Sequence, residues 1–155
     1  MEGRIKPNRP IALYILFVLM VFEAASAMCG GGALMIKTDG SLMQMPLSWL
    51  RFSPFTNYLI PGIILFVVLG VFPAFTFTIL ISEPELSFAK HINLYKNRYF
   101  GWTCSLIIGL ALIIWIDVQV FYLGYGSPFQ VAYAILGLLI LIFTLLPGIM
   151  KYYER

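Results

Sequence analysis

Charge is what this chain has least of. Only 11% of its 155 residues are Asp, Glu, Lys or Arg, while 61% are hydrophobic. An ordinary soluble domain carries about a quarter charged residues, so a water-facing surface could not be covered here, and a freely soluble globular domain is excluded. Histidine is equally scarce. The single His91 excludes a bis-histidine haem site within one chain. With two cysteines, Cys29 and Cys104, it leaves too few ligands for a zinc centre. No CxxC pair is present, which removes thiol redox relays. HExxH, Walker-loop and GxSxG motifs are absent, so no nucleophile is paired with a base and no enzyme, metal or cofactor is expected. The net charge of +3 is small and dispersed, which argues against a nucleic-acid partner.

What the chain has instead is four apolar stretches, at about 10–33, 58–82, 100–124 and 128–150, each bounded by charge, proline or glycine. A helix needs about 20 residues to cross a ~30 Å hydrocarbon core, and all four reach that length. Lipid leaves backbone groups no partner but one another, so only helices or closed barrels span it. Barrel strands alternate in short segments of about 10 residues; "GIILFVVLGVF" and "AILGLLILIF" do not. The expected fold class is an all-α membrane protein, a four-transmembrane-helix bundle forming one domain over 1–155.

Orientation follows from the basic residues. Arg4, Lys6, Arg9, Lys90, Lys96, Arg98, Lys151 and Arg155 fall on one side of these spans, leaving Lys37 and Arg51 on the other. Eight against two predicts both termini on the cytoplasmic side of a bacterial inner membrane. "GRIKPNR", the apolar run after it and Ala25-Ser26-Ala27 also have the outline of a cleavable signal, but Glu23 sits awkwardly five residues before the cut, and retention of span one is expected. Cys29 and Cys104 then lie near opposite faces, beyond the ~7 Å Cα separation a disulfide tolerates, and should be free.

Between spans one and two, about residues 34–57, Asp39-Gly40 in "LMIKTDGSLMQM" suggests a tight hairpin turn. "LSWLRFSPF" follows, with Trp49 suited to the headgroup layer. A small external cap combining a β-hairpin and a short helix is expected. Pro61 falls in the first turn of span two, where it costs little, whereas Pro73 lies in its interior and should kink it. Between spans two and three, Ser82 and Glu85 fit a capping box with Pro84 in the opening turn, predicting a short surface helix. Lys90, Lys96 and Arg98 interleave there with Tyr95 and Tyr99, a mixture suited to anionic headgroups.

Two ionisable residues fall inside spans. At ~1.5 Å per residue, Glu23 and Asp117 lie about 18 and 22 Å from the inner boundary, in the outer half of the membrane, where carboxylates are costly. Glu23 shares a helical face with Ser26, Ala27 and Gly30. Glu23, Ser26 and Asp117 form the candidate polar site, for a ligand, an ion or a proton; a hydrogen-bonded structural carboxyl pair is the bland alternative. Gly101, Ser105, Gly109 and Gln119 are expected to pack helices together. Asp117 lies about 200° round span three from Gln119, so the two cannot both face one bundle axis, and Asp117 faces either Glu23 or the outer surface.

"GGALMIKTDGSLMQMPLSWLRFSPFTNYLIPGIILFVVLG" followed by "WIDVQVFYLG" resembles small four-span bacterial membrane proteins in which a glycine-rich end of span one, an external DG turn and "SPF…YLIPG" recur together. The likeness covers about residues 28–70 and 109–140 and carries no activity with it; Asp117 departs from the apolar residue expected in "WI-x-VQ". The functional expectation is a non-enzymatic accessory or small-ligand-binding membrane protein, with a minimal ion- or proton-coupled transporter or channel component as the alternative. Its partners would be the lipid bilayer and a second copy or another membrane protein.

Overall fold

The computed structural model describes residues 8–155, apart from the side chain of Lys90; Arg4 and Lys6 of the basic N-terminus lie outside the described residues. Helix α1 runs Ile11–Ile36. α2 (Leu59–Phe66), a π-helical turn (Val67–Val71) and α3 (Phe72–Ser82) follow one another without a break, making one rod over Leu59–Ser82. Then come α4 (Ala89–Ile92), α5 (Phe100–Leu123), α6 (Pro128–Thr144) and α7 (Pro147–Tyr152). Three helices, Ile11–Ile36, Leu59–Ser82 and Phe100–Leu123, are long and apolar enough to cross a membrane, and α6 is a shorter apolar helix.

Proline decides where two of these rods change. Pro73 has no N–H to offer the carbonyl of Leu69, and its ring would crowd that carbonyl in a regular helix. The widened π turn at Val67–Val71 ends just before it, which absorbs the misfit inside a continuous rod. The fourth apolar stretch, expected as one helix over 128–150, is divided by Pro147. A residue preceding proline is pushed out of the helical region, and Leu146 takes φ −60°, ψ 133°. At the other end of α6 the start signal is complete. The Oγ of Ser127 accepts from the N–H of Phe129, the Oε1 of Gln130 accepts from the N–H of Ser127, and Pro128 occupies the first turn.

Packing between the rods runs through glycine. A β-carbon on Gly31 would stand 2.6 Å from the backbone N of Phe66 and 2.7 Å from the carbonyl of Gly62. α1 and α2 therefore touch backbone to backbone, the close approach that small residues permit where lipid supplies no hydrophobic drive. α5 and α6 meet in the same way, since a β-carbon on Gly109 would lie 3.1 Å from the carbonyl of Gly137. The expected packing position Gly109 is thus on a helix contact, and Ser105 reaches the same neighbour through a 2.6 Å hydroxyl pair with Thr144. Gly101 sits against Tyr99 and Leu80. The core between the helices is built from Leu13, Leu16, Met20, Leu69, Ile108, Leu112 and Ile140, all essentially inaccessible.

At the end of the bundle carrying both termini, aromatic and basic side chains close α3. The last carbonyls of a helix lack partners within it, and here those of Leu80 and Ile81 accept from Tyr153 Oη (2.8 Å) and Arg9 Nη2 (2.6 Å), while that of Ile79, already bonded to the N–H of Glu83, also accepts from Tyr99 Oη (3.1 Å). Trp102 Nε1 donates to the carbonyl of Thr144 at 2.8 Å, and Arg98 donates to that of Met150. The capping box expected at Ser82–Glu85 does not form. Ser82 Oγ donates back to the carbonyl of Thr78, and Glu83 ends α3 with φ +46°, held by Tyr152 Oη on Oε1 and Arg155 on Oε2. The helix in this loop is one turn, Ala89–Ile92.

The opposite end carries the cap, and here the expected β-hairpin is corrected: no strand occurs among the described residues. Gly40 does adopt the positive φ (+78°) that the Asp39-Gly40 pair favours. However, Asp39 Oδ1 accepts from both the N–H (3.0 Å) and the hydroxyl (2.7 Å) of Ser41. That local bonding turns the chain into 3₁₀ turns at Ser41–Met43 and Leu47–Phe52 rather than a returning strand. Those same two bonds, the backbone one first, hold the exposed Asp39 carboxyl below the ordinary carboxylate range. Tyr58 anchors the cap: its N–H donates to Thr38 and its Oη to the carbonyl of Pro46 at 3.0 Å. Leu50 tucks beside it against Leu34.

Candidate ligand cleft

Beneath this cap the helices do not close on one another. α1, α2, α5 and α6 line a cleft of about 540 Å³, roofed by residues of the cap. Each helix contributes the face that its period dictates. From α1 come Glu23, Ser26, Ala27, Gly30 and Leu34, at the i, i+3, i+4, i+7 spacing. From α5 come Leu112, Trp115, Ile116, Gln119, Tyr122 and Leu123, again one stripe, and from α6 Phe129, Gln130 and Tyr133. Small residues on α1 explain the space, because Ala27 and Gly30 leave room where larger side chains would have reached across.

Glu23 is the chemically unusual wall residue. It is fully buried, inaccessible to water even from the cleft it flanks, yet neither carboxyl oxygen has a hydrogen-bond partner among the described residues. Buried polar groups are nearly always paired, and an orphaned carboxyl carries the full desolvation cost of its oxygens. Its polar neighbours are committed elsewhere. Ser26 Oγ donates to the carbonyls of Phe22 and Glu23. Gln130 spends its amide on the loop before α6, accepting from Gly126 and Ser127 and donating to Gly124. Among the described residues no lysine, arginine or histidine lines the cleft.

Of the expected site residues, Glu23 and Ser26 are brought together and face the cleft. Asp117 is not brought to them: it is exposed and absent from the cleft wall. Gln119, expected among the packing residues, lines the cleft. It shares its helical face with Gly101 and Ser105, so one stripe of α5 packs tightly at the terminal end and opens into the cleft at the cap end. Reading that stripe as packing throughout concealed Trp115 and Tyr122, and Tyr133 carried no signal beyond its helix. Cys29 is exposed and Cys104 buried, both as free thiols.

Fold and site together define a bundle of apolar helices, three of them with the length to cross a membrane, that keeps a carboxyl with no hydrogen-bond partner among the described residues at the wall of a cleft. Comparison with protein-family models, with curated proteins and with solved structures returns no match.

Proposed function

We propose that the protein is a non-enzymatic integral membrane protein that binds a small ligand in the cleft beneath its cap. The observation that carries this reading is the pairing of a cleft of about 540 Å³ with a buried carboxyl that has no hydrogen-bond partner among the described residues. Small-molecule sites are typically concave, mostly apolar and furnished with a few convergent polar groups, and this cleft has that make-up. In the bilayer the basic-residue bias puts both termini in the cytoplasm and the cap outside, so the ligand enters from the outer side.

Native mass spectrometry of the full chain released from membrane in mild detergent tests the reading. Wild type should retain a bound small molecule that Gly30→Leu loses. A β-carbon at Gly30, a residue of the cleft wall, meets nothing closer than Leu65 at 3.4 Å, so the substitution begins without a clash, and the unchanged denaturation midpoint of the variant is the control for its fold. Equal retention by both proteins, or none by wild type, speaks against a ligand site.

A further inference from the structure

The wall of the cleft specifies more than the presence of a ligand. We propose that it takes a lipophilic organic monocation, an ammonium or quaternary ammonium group carried on an aromatic or branched aliphatic body. The inference rests on the reading of the cleft as a ligand site and assigns the ligand's charge and shape.

Three features of the wall lead there. The first is charge. Among the described residues Glu23 is the one acidic residue lining the cleft, with no lysine, arginine or histidine beside it, so no described side chain of the wall neutralises it and an anion would face it uncompensated. A carboxylate held away from water interacts far more strongly with a cation than the same pair would in solvent. The second is aromatic surface. Trp49, Trp115, Tyr122, Phe129 and Tyr133 all contribute to the wall, and the faces of such rings attract desolvated cations, most effectively when the charge is spread over alkyl groups. Tyr133 is also held against Phe22, with ring centroids 6.4 Å apart and planes 25° from parallel, which stiffens that part of the wall.

The third feature is size. A hard inorganic cation such as Ca²⁺ takes six to eight oxygen ligands, and the described residues contain no group of three or more His, Cys, Asp or Glu side chains able to surround one. Gln130 already spends its side-chain oxygen on the N–H groups of Gly126 and Ser127. About 540 Å³ of mainly apolar space is instead the volume of an organic molecule. Its charged end would sit at the stretch of wall directly over the Glu23 carboxyl, close enough for the charges to attract across a water-free layer, and its body would lie beside Leu65, Ile116 and the rings. The amide of Gln119 projects from the same stripe of α5, suited to a single polar substituent.

The test uses the full chain in detergent, with benzyltrimethylammonium as probe, its uncharged isostere neopentylbenzene, and 3-phenylpropionate as an anion of similar size. Titration calorimetry is paired with the fluorescence of Trp49 and Trp115. Wild type should bind the cation at least ten-fold more tightly than the neutral isostere and show no saturable binding of the anion. Glu23→Gln should lower cation affinity at least ten-fold and leave the isostere unchanged, because it keeps the shape of the wall and removes its charge. Trp115→Leu, a second variant that keeps the carboxyl, should weaken the cation more than the isostere. Equal binding of cation and isostere, unaffected by Glu23→Gln, overturns the charge assignment and leaves the ligand-site reading standing. Preference for the anion does the same. Failure of all three probes to bind saturably at millimolar concentration overturns both.

Discussion

Replacing Gly31 by alanine probes the contact on which the shape of the bundle depends. The added β-carbon would stand 2.6 Å from the backbone N of Phe66, 2.7 Å from the carbonyl of Gly62 and 2.8 Å from the β-carbon of Phe66. Two of these three are backbone atoms of the facing helix, so no rotamer change relieves them. α1 and α2 must part by roughly 0.8 Å before the nearest distance becomes an ordinary contact. Overpacking of this kind costs about 1–3 kcal/mol, against which alanine recovers up to ~1 kcal/mol of helix propensity over glycine. A net loss of about 1–2 kcal/mol is expected. The neighbouring Gly32→Ala is the internal control. Its β-carbon would meet nothing closer than the ring of Phe66 at 3.9 Å, so propensity alone acts and stability should hold or rise by up to ~1 kcal/mol. Denaturation with dodecyl sulfate in mixed micelles, followed by far-ultraviolet circular dichroism, measures both. If Gly31→Ala is as stable as Gly32→Ala, the backbone contact between α1 and α2 is wrong, and the description of the cleft they flank falls with it.

Other expectations follow from single interactions. Tyr153→Phe leaves the carbonyl of Leu80 without its 2.8 Å donor and should cost about 1–2 kcal/mol in the same denaturation assay; an unchanged midpoint would mean water replaces the hydroxyl. Thr144→Val removes the partner of Ser105 and should cost up to ~1.7 kcal/mol, the upper end for hydrogen bonds between membrane helices, with a Ser105→Ala, Thr144→Val double-mutant cycle reading the coupling. Asp39 is held below the ordinary carboxylate range by Ser41. The order this lends the cap is therefore present at neutral pH and is lost as pH falls through the folded value. The hydrogen-exchange protection of the Ser41 amide, normalised for the intrinsic pH dependence of exchange, should fall with pH through that value in wild type and stay low and flat in Asp39→Asn; a flat profile in wild type would refute the coupling. Alkylation of the denatured chain should modify two thiols with or without prior reductant, as expected for free Cys29 and Cys104; a mass shift that depends on reductant would contradict this.

Much of the architecture was legible without coordinates, because the bilayer imposes a length and a polarity that composition must satisfy. The ends of α1, of the Leu59–Ser82 rod and of α5 fall within about three residues of the expected boundaries, since a run of apolar residues has few other ways to end than at charge, proline or glycine. The Glu23, Ser26, Ala27 and Gly30 stripe was equally readable, being local helical geometry. What local rules misjudged were places where two of them compete. Asp39-Gly40 carries the signals of a hairpin, but hairpins need a second strand to pair with. The side-chain bonds to Ser41 are available within two residues and win. Ser82 and Glu85 have the spacing of a helix start, but α3 was still ending there, with its last carbonyls bonded by Tyr99, Tyr153 and Arg9 from distant parts of the chain. Only tertiary structure decided which faces meet. The rotation of α5 about its axis turns Trp115, Gln119 and Tyr122 toward Glu23 and leaves Asp117 outside. That rotation is set by Gly109 against Gly137 and Ser105 against Thr144 at the far end of the same helix, contacts between segments about 30 to 40 residues apart that no period along one helix encodes.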